Sequence, residues 1–154
     1  MLFLVFYLGN DRYAIEVAQV VEVLPLVNVK QVPQALAGVA GVFDYHGSPV
    51  PLIDLAELAL AKPSRRWMST RIILVNYFKE PGQTHLLGLL AERATETLRR
   101  NEGDFTDAGV AVADNSYLGP VTIDEVGIVQ RIEIRNLLSE SVRDQLFRGR
   151  IGSE

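Results

Sequence analysis

Apolar and polar positions change period several times along the chain, and each change marks an element. Leu2–Leu8 is a nearly continuous apolar run, the pattern of a strand buried on both faces. Gly9-Asn10-Asp11 supplies a hairpin turn, and Arg12–Ile15 returns as a short strand. Val17, Val20, Val21 and Leu24 then fall at i, i+3, i+4 and i+7, which predicts a short amphipathic helix over Glu16–Leu24, ended by Pro25. Val27 and Val29 alternate with Asn28 and Lys30, which predicts an edge strand within Leu26–Val32.

Gly38–Leu58 carries the densest set of signals. Gly38 and Gly41 mark a bend or a close backbone approach, and Val39, Val42 and Phe43 read as buried strand. His46-Gly47-Ser48-Pro49 is a turn. Val50–Ile53 returns through Pro49 and Pro51, each of which removes a ladder donor, so this strand belongs at an edge or barrel rim. Asp54 stands at the N-cap of a helix over Leu55–Ala61. The unit is a rigid corner presenting Asp44, Tyr45 and His46.

Lys62–Ser69 is a polar connector and the expected boundary between two halves. Thr70–Phe78 and Thr84–Ala91 form the next strand pair, with Gly88 as a bend and a weaker strand over Thr95–Leu98. Asn101–Ser116 is a polar loop expected to hold a short strand near Val110–Ala113. A hairpin follows, Tyr117–Ile123 and Gly127–Ile132, across Asp124-Glu125. Glu133–Leu138 and Ser139–Phe147 read as helical, with Leu138, Val142 and Leu146 in one row. Strand, turn, strand, acid, aliphatic, two residues and leucine occur twice, ending once at Asp54-Leu55-x-x-Leu58 and once at Glu133-Ile134-x-x-Leu137. About ten short strands with regular turns fit an all-β fold with short helices, built as two small barrels sharing a core. The 154 residues are read as a single domain of two intertwined halves.

Composition narrows the function. A hydrophobic fraction of 48% supports a real core, and a net charge of -4 argues against nucleic acid and against an anionic membrane surface. With no cysteine there is no disulfide framework or thiolate chemistry. The apolar start lacks the charged region and cleavage site of a signal peptide, and no run approaches the roughly 20 apolar residues of a spanning helix. Catalytic groups are not apparent. The two histidines, His46 and His85, have no companions at metal-ligand spacing. Gly47-Ser48-Pro49 lacks the second glycine of a nucleophile elbow, and neither phosphate-binding glycine motif occurs. Asp104, Asp107 and Asp114 do not follow a calcium loop, and Asp124-Glu125 is a turn pair rather than a buried dyad. Arg65-Arg66 and Arg99-Arg100 read as solvated strand ends. These absences point to a binding module without catalytic residues, metal or cofactor. The competing reading is a small β-barrel ligand binder or enzyme with a site near His46, marked by a pocket that both histidines line.

Several motifs in order resemble the CheW-like domain of bacterial chemosensory systems. They are Phe3-Leu4-Val5-Phe6-x-Leu8-Gly9 with Tyr13-Ala14-Ile15, then Val20-Val21-Glu22-Val23, and Gly38-Val39-Ala40-Gly41-Val42 with Gly47 and Val50-Pro51-Leu52-Ile53-Asp54-Leu55. Leu87-Gly88-Leu89-Leu90, Tyr117-Leu118-Gly119 and Ile134-x-x-Leu137-Leu138 complete the set. The resemblance implies two five-stranded, SH3-like β-barrels around a shared hydrophobic core. It implies a non-catalytic, cytoplasmic adaptor within membrane receptor arrays, linking the tip of a methyl-accepting chemoreceptor to the regulatory domain of a CheA-type histidine kinase. Other CheW-like proteins are further implied partners. Carried onto this chain, the receptor contact falls on Val20, Glu22, Val23, Tyr45 and His46, with Gly41 supporting that surface. The family commonly has Asn-Leu-Arg-Gly at the turn, whereas this chain has Asp44-Tyr45-His46-Gly47. Arginine is permanently charged and histidine mostly is not at neutral pH, which points to a different receptor and to a sensory pathway other than swimming.

Overall fold

The strand Gln83–Arg99 is the longest among the described residues and pairs with two separate groups of strands. In the computed structural model, which describes residues 1–36, 38–80, 83–109 and 116–147, it is β7 of nine strands. The others are β1 (Leu2–Leu8), β2 (Asp11–Glu16), β3 (Val20–Pro25), β4 (Val39–Tyr45), β5 (Ser48–Asp54), β6 (Arg71–Glu80), β8 (Leu118–Ile123) and β9 (Ile128–Ile132). Two short helices complete the set, α1 (Leu55–Leu60) and α2 (Glu140–Phe147).

The first group runs β7-β1-β2-β9-β8 and the second β3-β6-β7-β5-β4. Both have five strands, and in both the third and fourth pair in parallel while every other pair is antiparallel. The repeat is therefore topological. Each parallel strand, β5 or β9, belongs to a hairpin whose first strand carries a register shift, between Val39 and Gly41 or between Leu118 and Val121. Each shifted strand is bridged from outside by one residue, Lys30 to Val42 and Thr106 to Val121. Each hairpin leads into a helical segment, α1 or the 3-10 helix Ile134–Asn136. The all-β class and the two five-stranded groups are thus as expected. Among the described residues neither group closes its hydrogen-bond ladder, and β7 joins them into one nine-stranded sheet, a seven-stranded path from which β5 and β4 branch.

Alternation explains why the apolar runs are continuous. Along β1, Phe3 and Val5 enter a small core with Ala14 and Val129, whereas Leu4, Phe6 and Leu8 face the opposite way into the main core. Along β6, Ile72 and Leu74 join Phe43, Val50, Leu52 and Leu90, whereas Ile73, Val75 and Tyr77 face the main core. The main core thus lies between the two groups and draws on both, and each group keeps a smaller core of its own. Phe147 of α2 closes the main core from one end, stacked on Tyr77 and on His85, with centroids 5.8 and 4.3 Å away. Leu138, Val142 and Leu146 pack against the same core, as their row predicts.

Four expectations change. The helix over Glu16–Leu24 is a 3-10 helix at Val17–Gln19 followed by β3, with a register shift between Val20 and Glu22. Val17, Val20 and Leu24 are still the positions that pack inward, so turn plus bulge reproduces a helical spacing, and the β-branched residues decide for strand. The edge strand within Leu26–Val32 reduces to the single bridge at Lys30. The separate strands over Thr84–Ala91 and Thr95–Leu98 are one, β7. Gly88 is no bend but a slot: a Cβ there would lie 2.6 Å from the Phe43 ring. The strand near Val110–Ala113 lies outside the described residues. The Lys62–Ser69 connector joins α1 to β6.

Two carboxylates fix the ends of the hairpins. Asp54 caps α1 as predicted, accepting from the Ala56 and Glu57 amides, and also accepts from the Ser64 amide and hydroxyl at 2.9 and 2.6 Å. Asp124 receives both terminal nitrogens of Arg12, at 2.8 and 2.7 Å, and the Val126 and Gly127 amides. Side-chain exposure of this pair is 8% and 14%, so Asp124→Asn strands a mostly buried guanidinium. The hydrogen bonds from Arg12 hold the Asp124 carboxyl well below the ordinary carboxylate range. A depressed folded-state value stabilises the fold above the unfolded-state value and loses that effect as pH falls through the folded one. Asp124→Asn is expected to cost about 2 kcal/mol at neutral pH, between exposed and fully buried pairs. In urea titrations the gap between the two proteins should narrow below about pH 4, where an ordinary aspartate protonates.

Candidate interaction surface

The hairpin β4–β5 ends in a two-residue turn, since Tyr45 pairs with Ser48. His46 has φ +52° and Gly47 φ +88°, the double positive φ of a type I′ turn. The Asp44 carboxylate accepts from the Gly47 amide at 2.7 Å and holds the turn from below. His46 is exposed at the tip, and its ring meets the Tyr45 ring edge-on at 4.3 Å. The Tyr45 hydroxyl donates to Glu22 Oε1 at 2.8 Å, which ties the hairpin tip to β3. That hydrogen bond to a carboxylate pushes the Tyr45 pKa up, so the phenol stays a donor at neutral pH.

Of the six sequence-predicted residues, the structure brings Glu22, Tyr45 and His46 together, whereas Val23 follows Glu22 along β3 and so points to the opposite face, and Val20 and Gly41 are turned inward or covered. Glu22 and Val23 are exposed on β3, Val20 is half-buried at its start with its side chain on the main core, and Tyr45 and His46 stand on the neighbouring tip. Gly41 lies beneath. Its φ is +141°, and a Cβ would lie 2.2 Å from the Lys30 carbonyl oxygen. Glycine is required because the chain at Lys30 crosses directly over β4, exchanging backbone hydrogen bonds of 2.8 and 2.9 Å with Val42.

That crossing makes a feature the sequence reading missed. Asn28, Val29 and Lys30 form one wall of an open groove of about 570 Å³, with Val42, Phe43, Asp44, Gly47 and Pro49 opposite. The signal was present in the pairing of Gly41 with the alternating segment before it, but alternation alone gave a strand and not a wall. His85 is elsewhere, on the β6–β7 hairpin against Phe147. Neither histidine lines any of the five best-formed cavities of the described residues. Among these residues no three His, Asp or Glu side chains gather as metal ligands.

A second, different tip stands on the first group of strands. Ile123 and Ile128 pair across the end of the β8–β9 hairpin, and with Val126 they are 70%, 61% and 72% exposed. It occupies the place in its group that the His46 turn has in the other, and is aliphatic where that turn is aromatic and polar.

Residues 2–142 match the family described as CheW-like domain. The chain is 27% identical over 116 residues to Chemotaxis protein CheW of Helicobacter pylori, covering 75% of this chain and 67% of that one. It is 33% identical over 103 residues to Chemotaxis protein CheV3 of the same organism, covering 67% of this chain but only 32% of that longer protein. Among solved structures, the scaffolding protein TtCheW from Thermoanaerobacter tengcongensis superposes with a TM-score of 0.79 at 19% identity, over 92% of this chain and 89% of that one.

The two turn-region glycines give a discriminating pair of variants. Both have positive φ, but a Cβ at Gly47 meets nothing within 4 Å. Gly47→Ala should cost about 1 kcal/mol of backbone strain, and Gly41→Ala clearly more, about 2–3 kcal/mol, because Lys30 must move. Thermal denaturation of both variants checks the order.

Proposed function

The chain belongs to the CheW-like domain family, and from that membership we propose that it is a non-catalytic adaptor coupling methyl-accepting chemoreceptors to a CheA-type histidine kinase. The observation that carries this reading is the pair of unlike tips on two groups of identical strand order. An adaptor needs two partner surfaces that do not compete, and one rigid body offering two chemically distinct tips meets that need. In this reading the cytoplasmic tip of the receptor engages Val20, Glu22, Val23, Tyr45 and His46, with Gly41 beneath. The Ile123, Val126 and Ile128 tip takes the kinase regulatory domain, since an exposed aliphatic patch of this kind suits burial against a protein partner. The protein then works in the cytoplasm at membrane receptor arrays. No helix among the described residues is long and apolar enough to cross a membrane.

The turn tunes receptor choice. His46 with its Tyr45 neighbour offers an edge-on aromatic pair where the family's arginine offers a five-donor fork, so a receptor tip fitted to arginine binds poorly here. A receptor from a pathway other than swimming fits this substitution.

Reconstitution tests the reading. Added to a co-encoded receptor and kinase, the protein should change kinase autophosphorylation. Val23→Asp and His46→Ala should reduce receptor co-sedimentation while kinase binding persists, and Val126→Asp should do the reverse. No effect on the kinase with any co-encoded receptor, or equal loss of both partners in every variant, would sink it.

A further inference from the structure

The loop between α1 and β6 is neither of these tips, and its chemistry is unlike the rest of the molecule. Lys62, Arg65, Arg66 and Arg71 place four cations and no carboxylate within ten residues of a chain whose net charge is -4. At its apex Met68 is 96% exposed and Trp67 43% exposed. Large apolar side chains left in water beside cations mark a contact surface more often than chance placement does.

The apex is built rigid. The Thr70 hydroxyl donates to the Arg65 carbonyl and accepts from the Trp67 amide at 3.1 Å, and the Thr70 amide returns to the Trp67 carbonyl at 3.1 Å. Thr70 itself is buried, as is Ser64 on Asp54. Arg71 donates to the Met68 and Thr70 carbonyls. Arg65 is fixed from inside by Glu92, which is 2% exposed and accepts from its amide at 2.8 Å and its Nε at 3.1 Å. The Arg65 guanidinium lies 4.0 Å from the Trp67 ring, and Arg93 stands 5.8 Å from that ring and 4.1 Å from Tyr7. Arg66 and Arg93 are exposed, beside an apolar centre whose shape is already set. Such preorganisation removes much of the ordering cost of binding.

We propose that the Ser64–Arg71 loop, with Arg93, is a separate docking site for an acidic protein segment that carries apolar side chains. Guanidiniums offer carboxylates paired donors, and Met68 and Trp67 take the apolar contact. A simple anion would leave Met68 without a role. An anionic bilayer fits less well, because the remainder of the chain is strongly acidic and the Trp67 ring is held beside guanidiniums rather than free to insert. The site is distinct from the His46 face: β3 pairs with β6 from Val20 opposite Val75 to Pro25 opposite Arg71. The loop enters at the Arg71 end, roughly 16 Å from Val20 at the rise of a strand. The inference does not depend on the coupler reading.

Trp67 is the chain's sole tryptophan, so its fluorescence reports on this loop alone. The full chain is titrated with a soluble helical peptide bearing a glutamate face and an embedded Leu-Phe pair. Control titrations use the same peptide with lysine for glutamate, and phosphatidylglycerol vesicles. The expected result is a blue shift with the glutamate peptide that weakens steeply up to about 0.5 M salt. Arg66→Glu and Met68→Ala, both at exposed positions, should each weaken binding about tenfold, as loss of an interface anchor does. No shift, an equal shift with the lysine peptide, or binding undiminished in both variants would overturn the proposal. A response to vesicles without one to the glutamate peptide would overturn it in favour of a membrane surface.

Discussion

One strand with two sets of neighbours constrains everything else in this molecule. β7 pairs with β6 as far as Ala91, and from Glu92 onward with β1. At the changeover the register shifts: Val5 faces Glu96 while Tyr7 faces Glu92, and Arg93 takes φ +50°. The extra residues form a bulge that turns the strand from one ladder into the other. Because the backbone is continuous there, the two groups cannot separate without breaking hydrogen bonds on both sides. The main core then fills the space between them, and its apolar runs must face inward on both sides of a strand. Glu92, buried at this changeover, holds Arg65, so the same point also anchors the basic loop.

Around that strand the chain uses one topology twice and varies its tips. Both hairpin turns place an aspartate under a glycine: Asp44 accepts from Gly47, and Asp124 from Gly127. Only Asp124 also takes an arginine, and its turn carries aliphatic residues outward. Asp44 has a tyrosine next to it that reaches Glu22 instead. Small substitutions on a fixed frame thus yield two surfaces of different chemistry, which is what binding two different partners without competition requires.

Much of this was legible in the residues. Continuous apolar runs gave the two-sided strands, Asp54 gave the α1 cap, and the glycine-proline pattern gave the β4–β5 corner. The repeated strand-turn-strand-acid pattern foreshadowed the duplicated topology, although residue identity between the copies is low. The failures share a cause. Period is a local property, and a 3-10 turn with a bulge mimics helical spacing at Val17, Val20 and Leu24. The groove beside Phe43 and the slot at Gly88 depend on which segments cross, and nothing local announces that Lys30 passes over Gly41. The family resemblance pointed to β3 and the His46 turn, and the hydrogen bond from Tyr45 to Glu22 joins those two elements. Arg65-Arg66 read as ordinary solvated charge because Glu92 and Arg93, which hold Arg65 and share the Trp67 ring, lie far away in sequence.

The bulge in β7 also sets the gearing of the molecule. Side chains on a strand alternate, so a shift of one residue exchanges its two faces. Lengthening or shortening the chain between Ala91 and Glu96 by one residue would let each ladder keep its own pairing but turn one group's core face away from the other. It would rotate one group against the other by a step of the pleat, and the two tips would no longer point along their present directions. The two tips would then be reoriented even with every tip residue intact. The angle between tips is thus encoded at a position that touches neither.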